Sequence, residues 1–228
     1  MSDNERHFCM CVETAPTTGK TKAALLNANR WPVGSTITVR FLEGDPTLRA
    51  RVQKVAKEWT GIGMAHLALN FVETGDADVR VAFKQGNGSW SYLGTMCRQI
   101  PKTQPTMNYG WLTPASSDDE LRRVVLHEFG HALGLIHEHQ NPQKAIQWNR
   151  DAVKKDLSAP PNSWDDATIE NNMFKKYQPG ALTATDVDAA SIMMYPIPKS
   201  WTLDGFSAGL NKELSATDKN FIRSAYPW

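Results

Sequence analysis

The sequence predicts one α+β domain on three observations. Short runs rich in β-branched residues alternate with runs of helical periodicity from about residue 36 to about 135. One helical run, from Ser117 to Leu133, has a clear start and a clear stop. Beyond it the chain becomes loop-rich, with only short helical patches. At 228 residues and 41% hydrophobic content, the chain is long enough to bury one sizeable core.

Residues 1–29 lack regular periodicity and read as an N-terminal extension or pro-segment, leaving 30–228 as a single domain. Thr36–Leu42 alternates with β-branched residues and reads as a strand. Asp45 then caps a helix with Pro46 in its first turn. The apolar positions of that helix, Leu48, Val52, Val55, Ala56 and Trp59, fall at helical spacing. Strands follow at Leu67–Val72 and Val79–Phe83, the second ending before Gly86-Asn87-Gly88. Thr106–Trp111 reads as an edge strand.

Ser117 and Glu120 form an S-x-x-E start signal for the long helix, and Gly134 ends it. Ala159-Pro160-Pro161-Asn162 breaks the chain between short helices at Arg150–Leu157 and Asp166–Phe174. A last helix is expected at Ala216–Ala225.

The long helix carries the chemistry. His127-Glu128-Phe129-Gly130-His131-Ala132-Leu133-Gly134-Leu135-Ile136-His137 reads H-E-x-x-H-x-x-G-x-x-H. Positions i and i+4 of a helix share a face, so His127 and His131 present two imidazoles to one ion. Glu128 is rotated about 100° from His127, near the ion without having to ligate it, which suits a general base. A glycine adopts the left-handed conformation that turns the chain, so Gly134 delivers His137 to the same metal. Three histidines with an open fourth position are the pattern of a catalytic zinc site.

The motif and its flanks resemble the metzincin metalloendopeptidases, and within them the astacin family. Glu138 directly follows the third histidine, and Ser191-Ile192-Met193-Met194-Tyr195 is similar to the S-x-M-x-Y turn of astacins. Arg30–Val39 resembles the start of a mature astacin domain, Gly88–Gly94 its G-x-W-S-x-x-G segment, and Leu214–Pro227 the closing helix of bacterial relatives.

The resemblance implies a metzincin-type fold. A mainly β upper part with the active-site helix (about 30–137) would face a loop-rich lower part ending in a helix (about 138–228) across a cleft. It implies one catalytic Zn²⁺ on His127, His131 and His137, and peptide-bond hydrolysis by activated water with Glu128 as base. Met193 would floor the metal site, and Tyr195 would be a switchable fifth ligand that hydrogen-bonds the transition state. The substrate would be a peptide or protein bound in extended form as an added strand on the sheet edge. Family members often favour an acidic residue just after the cleaved bond. Glu138 would pair with an amino terminus created by cleavage near Arg30. Two alternatives stand beside this reading: a non-astacin metzincin with a structural Tyr195, and a zinc-bearing scaffold that has lost catalysis.

Two features bear on latency. Phe41-Leu42-Glu43-Gly44-Asp45 superficially resembles the aspartate-bearing segment of astacin proenzymes, but it has an extra residue and reads as strand-to-helix punctuation. Cys9 or Cys11 could instead place a thiolate on the open zinc position. His139, His66 and His7 read as surface or satisfied core residues.

Composition narrows the partners. A net charge of +1 gives no reason to expect nucleic acid or an anionic membrane. No apolar run approaches the roughly 18 residues of a membrane span. Met1–Arg6 lead into no apolar stretch, so no secretory leader is visible, and the expectation is a cytoplasmic protein, one exported without a leader, or a secreted one whose leader has been removed. Animal astacin domains usually carry two disulfides. This chain has only Cys9, Cys11 and Cys97, which favours a reducing compartment or a bacterial relative without bridges.

Overall fold

The computed structural model describes residues 7–12, 29–141, 146–176 and 187–228. The architecture is α+β, built on one mixed six-stranded sheet. In chain order the strands are β1 (Cys9–Val12), β2 (Thr36–Phe41), β3 (Ala68–Phe71), β4 (Val79–Ala82), β5 (Ser89–Tyr92) and β6 (Met107–Asn108). In space they run β1-β5-β6-β4-β2-β3. Only β5 and β6 pair antiparallel; every other neighbouring pair is parallel.

The helices are α1 (Pro46–Ala56), α2 (Asp118–Ala132), α3 (Arg150–Ser158), α4 (Asp166–Ile169) and α5 (Ala216–Ala225). Asp45 caps α1 by accepting from the Thr47 and Leu48 amides, with Pro46 in the first turn, so the Phe41–Asp45 stretch is strand-to-helix punctuation as expected. At α4 the chain continues into a π-turn over Glu170–Phe174.

Two expectations are corrected, and one strand is new. Residues 9–12 are not irregular extension: they form β1, in register with Ser89–Tyr92 of β5. A four-residue strand is too short to show a period, and its partner lies some eighty positions away, so nothing local marks it. The strand β5 itself is not anticipated by the sequence pattern. Thr106–Trp111 does not form the edge; only Met107–Asn108 is strand, and it lies inside the sheet between β5 and β4. The outer strands are β1 and β3, and β1 covers the side of β5 that faces away from β6. The rest of the 1–29 extension, residues 1–6 and 13–28, falls outside the described residues.

Two apolar cores flank the cleft. The upper one packs the sheet against α1 and α2 through Ile37, Val39, Val52, Trp59, Val125 and Phe129, among others. The lower one gathers Val153, Leu157, Trp164, Ile169, Met194, Ile197 and Trp201. The closing helix α5 returns to the upper core through Ile222, with Tyr226 just beyond it. Phe8, immediately before β1, belongs to the lower core, whereas Cys9 belongs to the upper one. The N-terminal segment therefore lies in the seam between them.

Candidate metal centre

Helix α2 is held at both ends. The Ser117 hydroxyl accepts from the Glu120 amide. The Glu120 carboxylate does not reach back to complete a capping box; it accepts from Trp111 Nε1 (2.8 Å) and from the Arg123 guanidinium (2.6 and 2.9 Å). At the other end, Gly134 takes φ +97°. Its amide donates to the His131 carbonyl and the Leu135 amide to the Gly130 carbonyl, the paired bonds of a Schellman motif. The last carbonyls are taken by aromatic donors from far away: Trp31 Nε1 to Ala132 (2.8 Å) and the Tyr226 hydroxyl to Leu133 (2.6 Å). The glycine turn and these anchors fix where the chain emerges toward His137.

His127, His131 and His137 converge as expected. One ligand-capable nitrogen from each lies within 4.8 Å of the other two, and all three rings are buried. His127 Nδ1 is bonded to the Ile192 carbonyl (2.9 Å) and His131 Nδ1 to the Leu135 carbonyl (2.8 Å). These bonds place the proton on Nδ1 and turn Nε2, with its lone pair, toward the cluster. His127 Nε2 has no hydrogen-bond partner among the described residues, and His131 Nε2 lies 3.0 Å from His137 Nε2. Buried lone pairs aimed at one another need a cation between them, so this donor set fits a single zinc-sized ion. Burial pushes the pKa values of His127 and His137 well below the usual value, with His131 adding to the effect at both, which keeps the imidazoles in their neutral, ligating form.

Met193 packs against the same helix, α2, at Gly130. A Cβ on Gly130 would sit 2.3 Å from Met193 Sδ, so any side chain there would force the methionine to shift. The Met193 turn is tied down by Asp218 of α5, whose carboxylate accepts from the Ser191 hydroxyl (2.6 Å), the Ile192 amide (2.8 Å) and the Ser215 amide (2.9 Å). No local pattern singles out Gly130 or Asp218. The hydrophobic turn and the S-x-T-D cap are visible in the sequence, but not their meeting.

Glu128 is fully buried beside the three histidines, and desolvation drives its pKa well above the ordinary carboxylate value. The Cys9 thiol faces it closely enough to oppose that rise, yet neither carboxylate oxygen has a partner at hydrogen-bonding geometry among the described residues. Burial and the Glu128 charge together push the Cys9 thiol up. Cys11 packs elsewhere, with Leu93 and Met96. Neither cysteine belongs to the cluster that could hold the metal, and Cys9, Cys11 and Cys97 form no disulfide.

Tyr195 is buried, its ring centroid 4.2 Å from that of His137 and 5.9 Å from that of His127. Its hydroxyl donates to the Cys9 carbonyl of β1.

Glu138, expected near a new amino terminus, accepts from the Asp188 amide (3.1 Å), and burial pushes its pKa up to about 7. Arg30 instead donates to the Ala225 carbonyl and lies over the Tyr226 ring. His139 is held by the Asn172 carbonyl (2.8 Å) and stands outside the metal cluster. His66 stacks on Trp228, and His7 on Trp111.

Residues 25–226 match the family model for the astacin peptidases. The chain belongs to the astacin family. Two solved structures of myroilysin are similar to it: one at 44% identity and TM-score 0.85, covering 89% of this chain and 98% of that one, the other at 42% identity and TM-score 0.70, covering 96% and 90%. High choriolytic enzyme 1, a hatching-enzyme zinc protease from the medaka fish Oryzias latipes, shares the fold at 17% identity and TM-score 0.57, over 88% of this chain and 95% of that one. Zinc metalloproteinase nas-30 of Caenorhabditis elegans is 27% identical over 126 residues, which are 55% of this chain but only 15% of that protein. As an astacin domain, the chain is a zinc metalloendopeptidase with one catalytic zinc, and its substrate is a peptide or protein. The non-astacin alternative falls with the family match. No helix among the described residues is long and apolar enough to cross a membrane.

Proposed function

We propose that this astacin is an endopeptidase in which His127, His131 and His137 hold the zinc, Glu128 is the general base and Tyr195 stabilises the transition state. The observation that carries the reading is the convergence of the three histidines beside the buried carboxylate of Glu128, at the floor of a slot where an extended strand lies on β5. Zinc, when bound, supplies Lewis acidity at neutral pH, toward both water and a carbonyl group.

Every other part falls to the chain. Glu128 takes the proton of the attacking water and passes it to the leaving amine; desolvation raises its basicity toward that task. Tyr195 donates from its hydroxyl to the oxygen that gains charge. Its bond to the Cys9 carbonyl supports this role, because a peptide carbonyl already sits where that donor points. The side of β5 now covered by β1 would give the substrate backbone its hydrogen bonds, and the buried floor excludes water.

The same geometry supports reading residues 1–29 as a pro-segment and 30–228 as the catalytic domain. β1 fills the substrate's place on β5, and its Cys9 faces Glu128 while Cys11 does not. Cys9 is therefore the residue that would block the centre, and the intact chain would be latent.

The test uses zinc-loaded protein cut between residues 12 and 29, beside its Glu128→Gln counterpart, each incubated with a peptide library and read by mass spectrometry. The expected result is cleavage by the first only, with both holding one zinc by metal analysis. Cleavage by the Gln variant would remove Glu128 from the mechanism. Zinc binding without cleavage by either would restore the scaffold reading.

A further inference from the structure

Where β1 enters the cleft, Phe8 fills a recess of the lower part and is only 5% exposed. Its ring stacks on Trp201 at 5.4 Å and meets Tyr195 and Trp164 edge-on at 5.3 and 6.2 Å. The backbone on either side of that ring is gripped from below: the Phe8 amide donates to Asn162 Oδ1 (3.1 Å), and the Cys9 carbonyl accepts from Tyr195. From above, β5 pairs with the next four residues. This slot is bordered by Glu128 and Tyr195, so a peptide presented to those groups must run through it.

We propose that the recess of Trp164, Trp201 and Tyr195 is the side-chain specificity pocket of the cleft, selecting a bulky aromatic residue adjoining the cleaved bond. The proposal rests on the peptidase reading above and adds its substrate class. Phe8 is the resident example of the side chain the pocket accepts. Two indoles and a phenol around one ring offer edge-to-face and stacked contacts to an aromatic guest, and little to a small one.

The charges nearby disfavour an acidic guest. Trp201 Nε1 is tied to the Asp156 carboxylate (2.7 Å), which places a negative charge behind the pocket wall. Arg123, the cation closest to Glu128 along α2, is engaged by both oxygens of Glu120. This chain thus departs from the acidic preference that its family resemblance implies.

Two measurements test it. In the intact zinc-loaded chain, alkylation of Cys9 by a thiol reagent, followed by peptide mass mapping, reports how firmly residue 8 is seated. Phe8→Tyr and Phe8→Trp should protect Cys9 as the native residue does, whereas Phe8→Ala and Phe8→Asp should speed its labelling by about tenfold or more. Protection by Asp equal to that by Phe, or no effect of Ala, overturns the proposal without any reference to catalysis.

In the chain cut between residues 12 and 29, a peptide library should show an aromatic residue enriched next to the cleaved bond. Trp164→Leu and Trp201→Leu should lower kcat/KM for a Phe peptide by about tenfold relative to its Ala counterpart. Cleavage without that enrichment sinks the pocket and leaves the peptidase standing. Absence of any cleavage sinks the peptidase reading, and the labelling series still decides the pocket.

Discussion

Tyr195 shows most directly what single residues contribute here. Its hydroxyl is buried, and burial pushes its pKa well above the usual phenol value, so it stays a neutral donor throughout the working range of a peptidase. It already donates to a peptide carbonyl, that of Cys9, within the cleft. Removing a preorganised donor aimed at a developing oxyanion typically costs about 10²–10³ in kcat. Tyr195→Phe in the cut enzyme should therefore lower kcat by about that factor, with KM and zinc content little changed. Steady-state kinetics and metal analysis check it; an unchanged kcat would make Tyr195 a structural residue. The convergence of His127, His131 and His137, with Glu128 buried on the same helix, was legible because it depends on spacing within one helix and one glycine turn. The contacts of Phe8 and Asn162, and which of Cys9 and Cys11 faces Glu128, were not, because each is defined by a partner more than a hundred positions away in the chain.

At the scale of elements, the active-site helix and the Met193 turn behave as one unit. Asp218 links that turn to the cap of α5, the Ile192 carbonyl orients His127, and Met193 presses on Gly130. Gly130→Ala sets two effects against each other. Alanine favours a helix interior over glycine by about 0.8–1 kcal/mol. A Cβ placed 2.3 Å from Met193 Sδ and 3.3 Å from Trp59 Cζ2 forces a shift, and overpacking of this kind costs about 1–3 kcal/mol. The clash should win, leaving the variant up to about 2 kcal/mol less stable by chemical denaturation, with weaker zinc binding because His127 and His131 flank the shift. Adding Met193→Val should recover part of the loss; additive losses would show that the two residues do not press on each other. The helices were readable from their caps and spacing, as at Asp45, Ser117 and Ser215. The sheet edge was not. β5 and β6 are short, and which of them faces the cleft depends on strand order, a non-local property that alternation along one segment does not encode.

Across the whole molecule, one chain is proposed to supply both the cleft and what fills it. β1 completes the sheet, Phe8 fills the lower recess and Cys9 lies against Glu128, so upper and lower parts are bridged by residues 7–12. Held in cis, such a segment acts at an effective concentration of about millimolar. Cutting between residues 12 and 29 changes none of these contacts but makes the segment an ordinary ligand. At about micromolar protein its drive to rebind then falls roughly 10³-fold. The intact zinc-loaded chain should therefore be nearly inactive at every concentration. The cut chain should gain specific activity on dilution and lose it again when a synthetic peptide of residues 7–12 is added. A peptide carrying Phe8→Ala should inhibit less well. Assays over a dilution series check this. Equal specific activity of intact and cut protein would mean that β1 does not obstruct the cleft. Activity that rises on cutting but ignores both dilution and peptide would mean that the cut acts through something other than release of this strand.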